Sequence, residues 1–290
     1  MAVAKKEKTI DFSIDITTMD IEFCIWGISP LIMNRMSQKA IQGLLFPEPK
    51  KNRAEQASRL KHDPVVEFRD STYKNRDDKA PALFHIPGGA FKGAIANVAK
   101  DIPGAFKAQV GRLVQVKDIN IDLFGLPQLH MAIVRNSDIN RTPDIRTRAC
   151  FPRWACKIVV TIVTPLMRDD VIAKLTGAAG IIIGVGDGRP EKGKLAFGKF
   201  MVVDHDHAEW REVVKTEGRA AQLKALNNPV CYDQEAEDLL AWFEAERIRR
   251  APKSGSGKAV IAKPPRSPVN GGDAVAKPTR RRVNAPQIGN

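Results

Sequence analysis

From Met19 to Ile28 the chain alternates, with Ile21, Phe23 and Ile25 on one side and Glu22 and Cys24 on the other, the period of a β-strand. Ala82 to Ile86 forms a short apolar run that ends at Pro87-Gly88-Gly89. A helix is expected over Ala90 to Lys100, because Phe91, Ile95, Val98 and Ala99 share one face. Arg112 to Phe124 alternates with a change of phase near Lys117, which reads as one strand with a bulge. Gly125-Leu126-Pro127 then turns the chain into Gln128 to Arg135 and predicts a hairpin between these two runs. Trp154 to Pro165 is the strongest β-branched run. A helix over Asp169 to Gly180 follows, with Val171, Leu175, Ala178 and Ala179 inward and acids in its first turn. Leu195 to Val203 reads as a strand. Glu235 to Arg250 reads as an amphipathic helix with Leu239, Trp242, Phe243 and Ile248 on its apolar side.

Three stretches lack this patterning. Residues 1–15 read as a flexible arm. Residues 44–81 are polar and read as an inserted loop region with a short helix near Arg53 to Leu60, and Asn136 to Pro152 reads as an Arg-rich connection. The last 40 residues hold six Pro and five Gly and almost no large apolar side chains, a composition that cannot bury a core and predicts disorder. The organisation is therefore a domain over 16–250, with insertions at about 44–81 and 136–152, and a tail over 251–290. The core elements run strand, helix, strand, strand, helix, strand. This is an α+β chain of ferredoxin-like or RRM-type βαββαβ order, whose sheet face is a common RNA platform.

Charge changes the picture by its placement. The chain carries +13, but residues 251–290 alone hold +7, so the body is only mildly basic and local clusters must carry any argument for a polyanionic partner. The four cysteines form no CxxC pair, which fits a reducing compartment and packed thiols such as Cys150 and Cys156. No run approaches a membrane span and the N-terminus lacks a secretory signal, so a cytoplasmic protein with no membrane partner is expected.

Three segments offer chemistry. In Gly184 to Gly198, closely spaced glycines, among them Gly186 and Gly188, let backbone N–H groups approach a phosphate beside Arg189, Lys192 and Lys194; the alternative is a helix-to-strand turn that uses glycine for positive φ. At Gly88, Gly89 and Lys92, a helix N-terminus follows a strand and could hold an anion, or Pro-Gly-Gly could be a simple turn. The third carries Arg135, Arg141, Arg146, Arg148 and Arg153 with Phe151 and Trp154 interleaved, cations for phosphates and rings for bases, unless the arginines are merely solvated and Trp154 is core. The functional reading has all three converge on one surface. Catalysis has thin support: His85 abuts the Pro-Gly-Gly turn with Lys92 near it, yet a lone His beside a strand end reads as structural, and no catalytic residue is assigned. Asp204-His205-Asp206-His207 would put both His on one strand face but reads as a polar terminus, so no metal and no cofactor is expected.

The early strand followed by Ser29-Pro30-Leu31, the Ile86-to-Gly93 segment leading a helix, and the late glycine loop before a strand together resemble the RAMP superfamily, the RRM-like proteins of CRISPR effector complexes. The resemblance covers about Met19 to Val203. It implies a non-catalytic subunit that binds single-stranded RNA or DNA and assembles along the strand as a homo-oligomer or filament, with Arg135 to Arg153 as a protruding thumb. A phage or prophage protein that coats single strands is similar. The alternatives are a RAMP-type endoribonuclease centred on His85 and an interaction protein that uses only its basic tail.

Overall fold

A computed structural model describes residues 15–46, 62–135, 143–192 and 195–250. The arm over residues 1–14, the helix expected near Arg53 to Leu60, Arg141, Lys194 and the tail lie outside the described residues.

The main sheet is antiparallel throughout. Strand β1 (Thr17–Gly27) lies between β8 (Ala155–Thr164) and β9 (Phe200–Val203), while β4 (Val114–Val116) and β5 (Asn120–Phe124) pair successive parts of the far side of β8 and β3 (Phe84–Pro87) closes that edge. Helix α3 (Gly88–Val98) follows the edge strand β3 and leads towards β4, and α5 (Asp169–Ile182) connects the central β8 to the outer β9. The sequence β1, α3, β4/β5, β8, α5, β9 with this spatial order is the ferredoxin-like arrangement, and the fold is α+β as expected. Phe91, Ile95, Val98 and Ala99 are all fully buried, so the helical stripe read from the sequence is the stripe that packs on the sheet. In α5 the stripe is rotated: Ile172, Leu175, Thr176 and Ala179 are buried, and Val171 is at the surface.

Four expectations need correction. Arg112 and Leu113 end a helix, α4 (Lys107–Leu113), and the chain breaks between β4 and β5 where Gly88 N–H donates to Ile119 O at 2.7 Å. The phase change near Lys117 marks this break. Second, β6 (Gln128–Arg135) does not pair with β5. It pairs along its whole length with β7 (Pro143–Phe151), from Gln128↔Cys150 to Arg135↔Pro143, and β2 (Leu31–Ile32) completes a second three-stranded sheet. Most of the expected Arg-rich connection is thus strand; its core-facing positions are Thr147, Ala149 and Phe151, two of them too small or polar to mark a buried face.

Third, residues 62–81 are part of the body. After α1 (Gln38–Leu45), helix α2 (Pro64–Asp70) is capped by Asp63, which accepts from Val66 N at 3.1 Å, and packs Phe68 fully buried beside β7. Ser71 Oγ accepts from Ala149 N at 2.8 Å. Helices α6 (Ala208–Thr216) and α7 (Arg219–Asn227) follow β9, and α6 packs on the outer sheet face, burying Trp26 and Trp210. Fourth, the last helix does not bury the whole stripe expected of it. α8 (Gln234–Arg250) lies on β6 through Ala236, and Trp242 is 66% exposed where the sequence placed it inward.

Candidate nucleic-acid interface

The late glycine loop spends its backbone donors internally. Gly184, Gly186, Gly188 and Gly198 all have positive φ, as expected of a turn only glycine makes cheaply. Val185 N donates to Gly198 O, Asp187 N to Ile32 O and Gly198 N to Pro30 O, which binds the loop to the segment after β1. Arg189 donates to Glu191 and to Gly186 O, so it staples the loop rather than facing outward. Lys192 is exposed on the short 3-10 turn, and Asp187 reaches Arg148 of β7 at 3.2 Å.

The Pro-Gly-Gly turn does not join this loop. Gly88 is packed so closely that a Cβ would meet Asp118 O at 2.0 Å, while Gly89 faces open space and Lys92 donates to Gln115 Oε1 at 2.6 Å. The turn opens α3, whereas Asn97 near the end of that helix holds Glu191 of the glycine loop at 2.7 Å. Nine helical residues separate the two ends by ~13 Å. The two glycine turns therefore stand at opposite ends of α3.

The arginine segment divides as well. Phe151 and Trp154 are both 0% exposed: Phe151 packs edge-on against Phe84, and Trp154 donates from Nε1 to Ser29 O at 2.8 Å. Neither ring can stack on a base, which corrects that expectation. Arg153 pairs with Glu217 beyond the outer sheet face. Arg148 is largely buried between Asp187 and Met33 O, and that burial pulls its guanidinium below its ordinary pKa. Arg146 is exposed on β7, and Arg135 ends β6 opposite Pro143. Where α6 leaves the outer face open, Lys117 pairs with Asp20 at 2.6 Å and Lys157 with Glu22 at 3.2 Å.

What the structure brings together is a different set of cations. A cleft of 370 Å³ beside β7 is lined by Arg146, Arg148 and Arg35, with His62 held there between Glu67 and Asp144. Arg35 also lines a neighbouring cleft of 650 Å³, together with Arg69, Lys74, Arg76 and His85. Its carboxylates are partly engaged: Asp70 accepts from Gln38 N, Asp77 from Lys79 N and Asp122 from Asn75. Lys74 and Arg76 make no side-chain hydrogen bond or ion pair among the described residues, and partial burial lowers the Lys74 pKa. Arg69, Lys74 and Arg76 fall in the polar stretch that reads as an insertion. Their charge was visible there, but their placement beside His85 was not.

His85 itself is 9% exposed, stands 5.7 Å from the Tyr73 ring, and has its pKa lowered by burial. His207 caps α6 by accepting from Trp210 N, and His205 packs on Trp210, both beyond the end of β9. Among the described residues, no three His, Cys, Asp or Glu side chains gather as a metal site, and no helix is long and apolar enough to cross a membrane.

No family model matches the chain, and no curated protein matches it. Among solved structures it is similar to a chain of the "Cryo-EM structure of the Type III-B Cmr-beta bound to cognate target RNA", with 12% identity and a TM-score of 0.31. The match covers 64% of this chain and 59% of that one, so the chain spans less than two thirds of that neighbour's length.

Proposed function

We propose that the folded body binds single-stranded RNA or DNA along its phosphate backbone, as a non-catalytic subunit that assembles along the strand. The supporting observation is the pair of clefts that share Arg35, which lays cations from Arg146 of β7 to Arg76 in one series. Arginine forks and a lysine suit phosphate oxygens without reading sequence, and the affinity they supply is salt-dependent. Kinship with the RAMP superfamily is part of this reading, supported by the strand order and by the glycine loop before β9.

The test measures binding of labelled 12-mers by anisotropy over a salt series. The triple change Arg69→Ala, Lys74→Ala, Arg76→Ala is expected to weaken binding at least about tenfold and to make the log–log salt slope shallower by about 2. Unchanged binding by this variant, with its circular dichroism intact, sinks the reading. Deleting residues 251–290 separates the third possibility: a body that then binds no strand places the activity in the tail. A second reading, an endoribonuclease, is favoured by the position of His85 in the basic cleft. End-labelled RNA that stays intact while bound speaks for the subunit, and cleavage abolished by His85→Ala speaks for the enzyme.

A further inference from the structure

The floor of the 650 Å³ cleft is more specific than a phosphate track requires. The β3–β5 pairing sets His85 directly opposite Asp122, and cross-strand partners share a sheet face at about 5 Å. Asp122 accepts from Asn75 Nδ2 through Oδ1 at 2.6 Å, and the same Asn75 nitrogen donates to Ala82 O, which fixes the carboxylate. Among the described residues, no group donates to Asp122 Oδ2. Burial raises the Asp122 carboxyl pKa, as expected of an acceptor short of donors. His85 Nδ1 is sealed from solvent and has no partner among the described residues. A bare lone pair is easier to bury than a bare N–H, so the neutral ring keeps its proton on Nε2. The floor thus offers a two-oxygen acceptor beside an aromatic pair, Tyr73 and His85, while Lys74 and Arg76 stand on the walls. A volume of 650 Å³ lies within the usual range for small-molecule sites.

We propose that this cleft takes a guanine nucleotide, with the base's N1–H and N2–H donating to Asp122 and its phosphate on Lys74 and Arg76. A carboxylate only accepts. Guanine alone among the bases presents two adjacent donors on its Watson–Crick edge; adenine and cytosine set a ring acceptor beside their one amine, and uracil flanks its N–H with carbonyls. A guanine within a bound strand and a free guanine nucleotide share this chemistry. The strand form rests on the nucleic-acid reading above and adds a base-selective anchor to an otherwise sequence-blind track.

The full-length chain is titrated with uridine 12-mers, the same 12-mers with one central guanosine or inosine, and free GMP and AMP. One guanosine is expected to tighten binding about tenfold over uridine, and inosine, which lacks the N2 amine, to lose most of that gain. Asp122→Asn is expected to remove the preference for guanosine over uridine, read as the ratio of the two affinities measured on the same variant. A wild-type protein that binds guanosine, inosine and uridine strands equally overturns the proposal and leaves the phosphate track standing. Binding of GMP over AMP without binding of any strand upholds the guanine site and overturns the strand reading. Binding of neither overturns both. Because the inosine comparison uses unaltered protein, it decides the matter even if Asp122→Asn misfolds.

Discussion

Single residues in this protein separate into those whose role follows from backbone geometry and those whose role follows from company. Gly198 sits at φ 67°, where a Cβ would meet Val185 O at 1.7 Å, while Gly89 lies in the first turn of α3 with nothing within 4 Å of a Cβ. Gly198→Ala is expected to destabilise by about 3 kcal/mol in urea denaturation, since both strain and collision must be relieved. Gly89→Ala is expected to be neutral or to stabilise by up to about 1 kcal/mol, because alanine suits a helix better and nothing opposes it. The sequence flagged both glycines for the same anion-binding chemistry; only their neighbours distinguish them.

Among the elements, β7 is the instructive misreading and α3 the success. An apolar stripe of period 3.6 is a local property, and α3 buries the four residues its stripe names. β7 keeps Thr147 and Ala149 inward and arginines outward, so its pattern fades into a polar loop until β6 and β2 flank it. The hairpin is tied to the glycine loop by Arg148 and Asp187. Asp187→Ala leaves a largely buried guanidinium without its carboxylate and is expected to cost about 1–2 kcal/mol. Arg148→Met removes the charge along with its need for a partner, so in the same urea measurement it is expected to cost less than Asp187→Ala. A larger loss for Arg148→Met would mean that its hydrogen bond to Met33 O, not the ion pair, secures the loop.

For the whole molecule, stability should depend on pH through two histidines. Burial lowers the pKa of both His85 and His130 below the ordinary 6.5, and for His130 it outweighs the opposing pull of Asp233 at 3.6 Å. A group that binds its proton more readily when unfolded destabilises the fold as acid is added. The contribution is therefore complete above about pH 6.5 and is lost as pH falls below it. The Tm is expected to drop between pH 7 and pH 5, and the double change His85→Gln, His130→Gln to flatten that drop; an equal drop in the variant assigns it to the carboxylates. By itself the sequence determined the α+β class, the order of the core elements and the separation of a basic tail from a mildly basic body, because periodicity and charge are carried locally along the chain. Only the tertiary structure decided that Phe151 and Trp154 belong to the core, that the two glycine turns lie at opposite ends of α3, and that Arg69, Lys74 and Arg76 stand around His85 and Asp122. Those relations arise from strand pairings between residues tens of positions apart, and side-chain type at either position does not encode its partner.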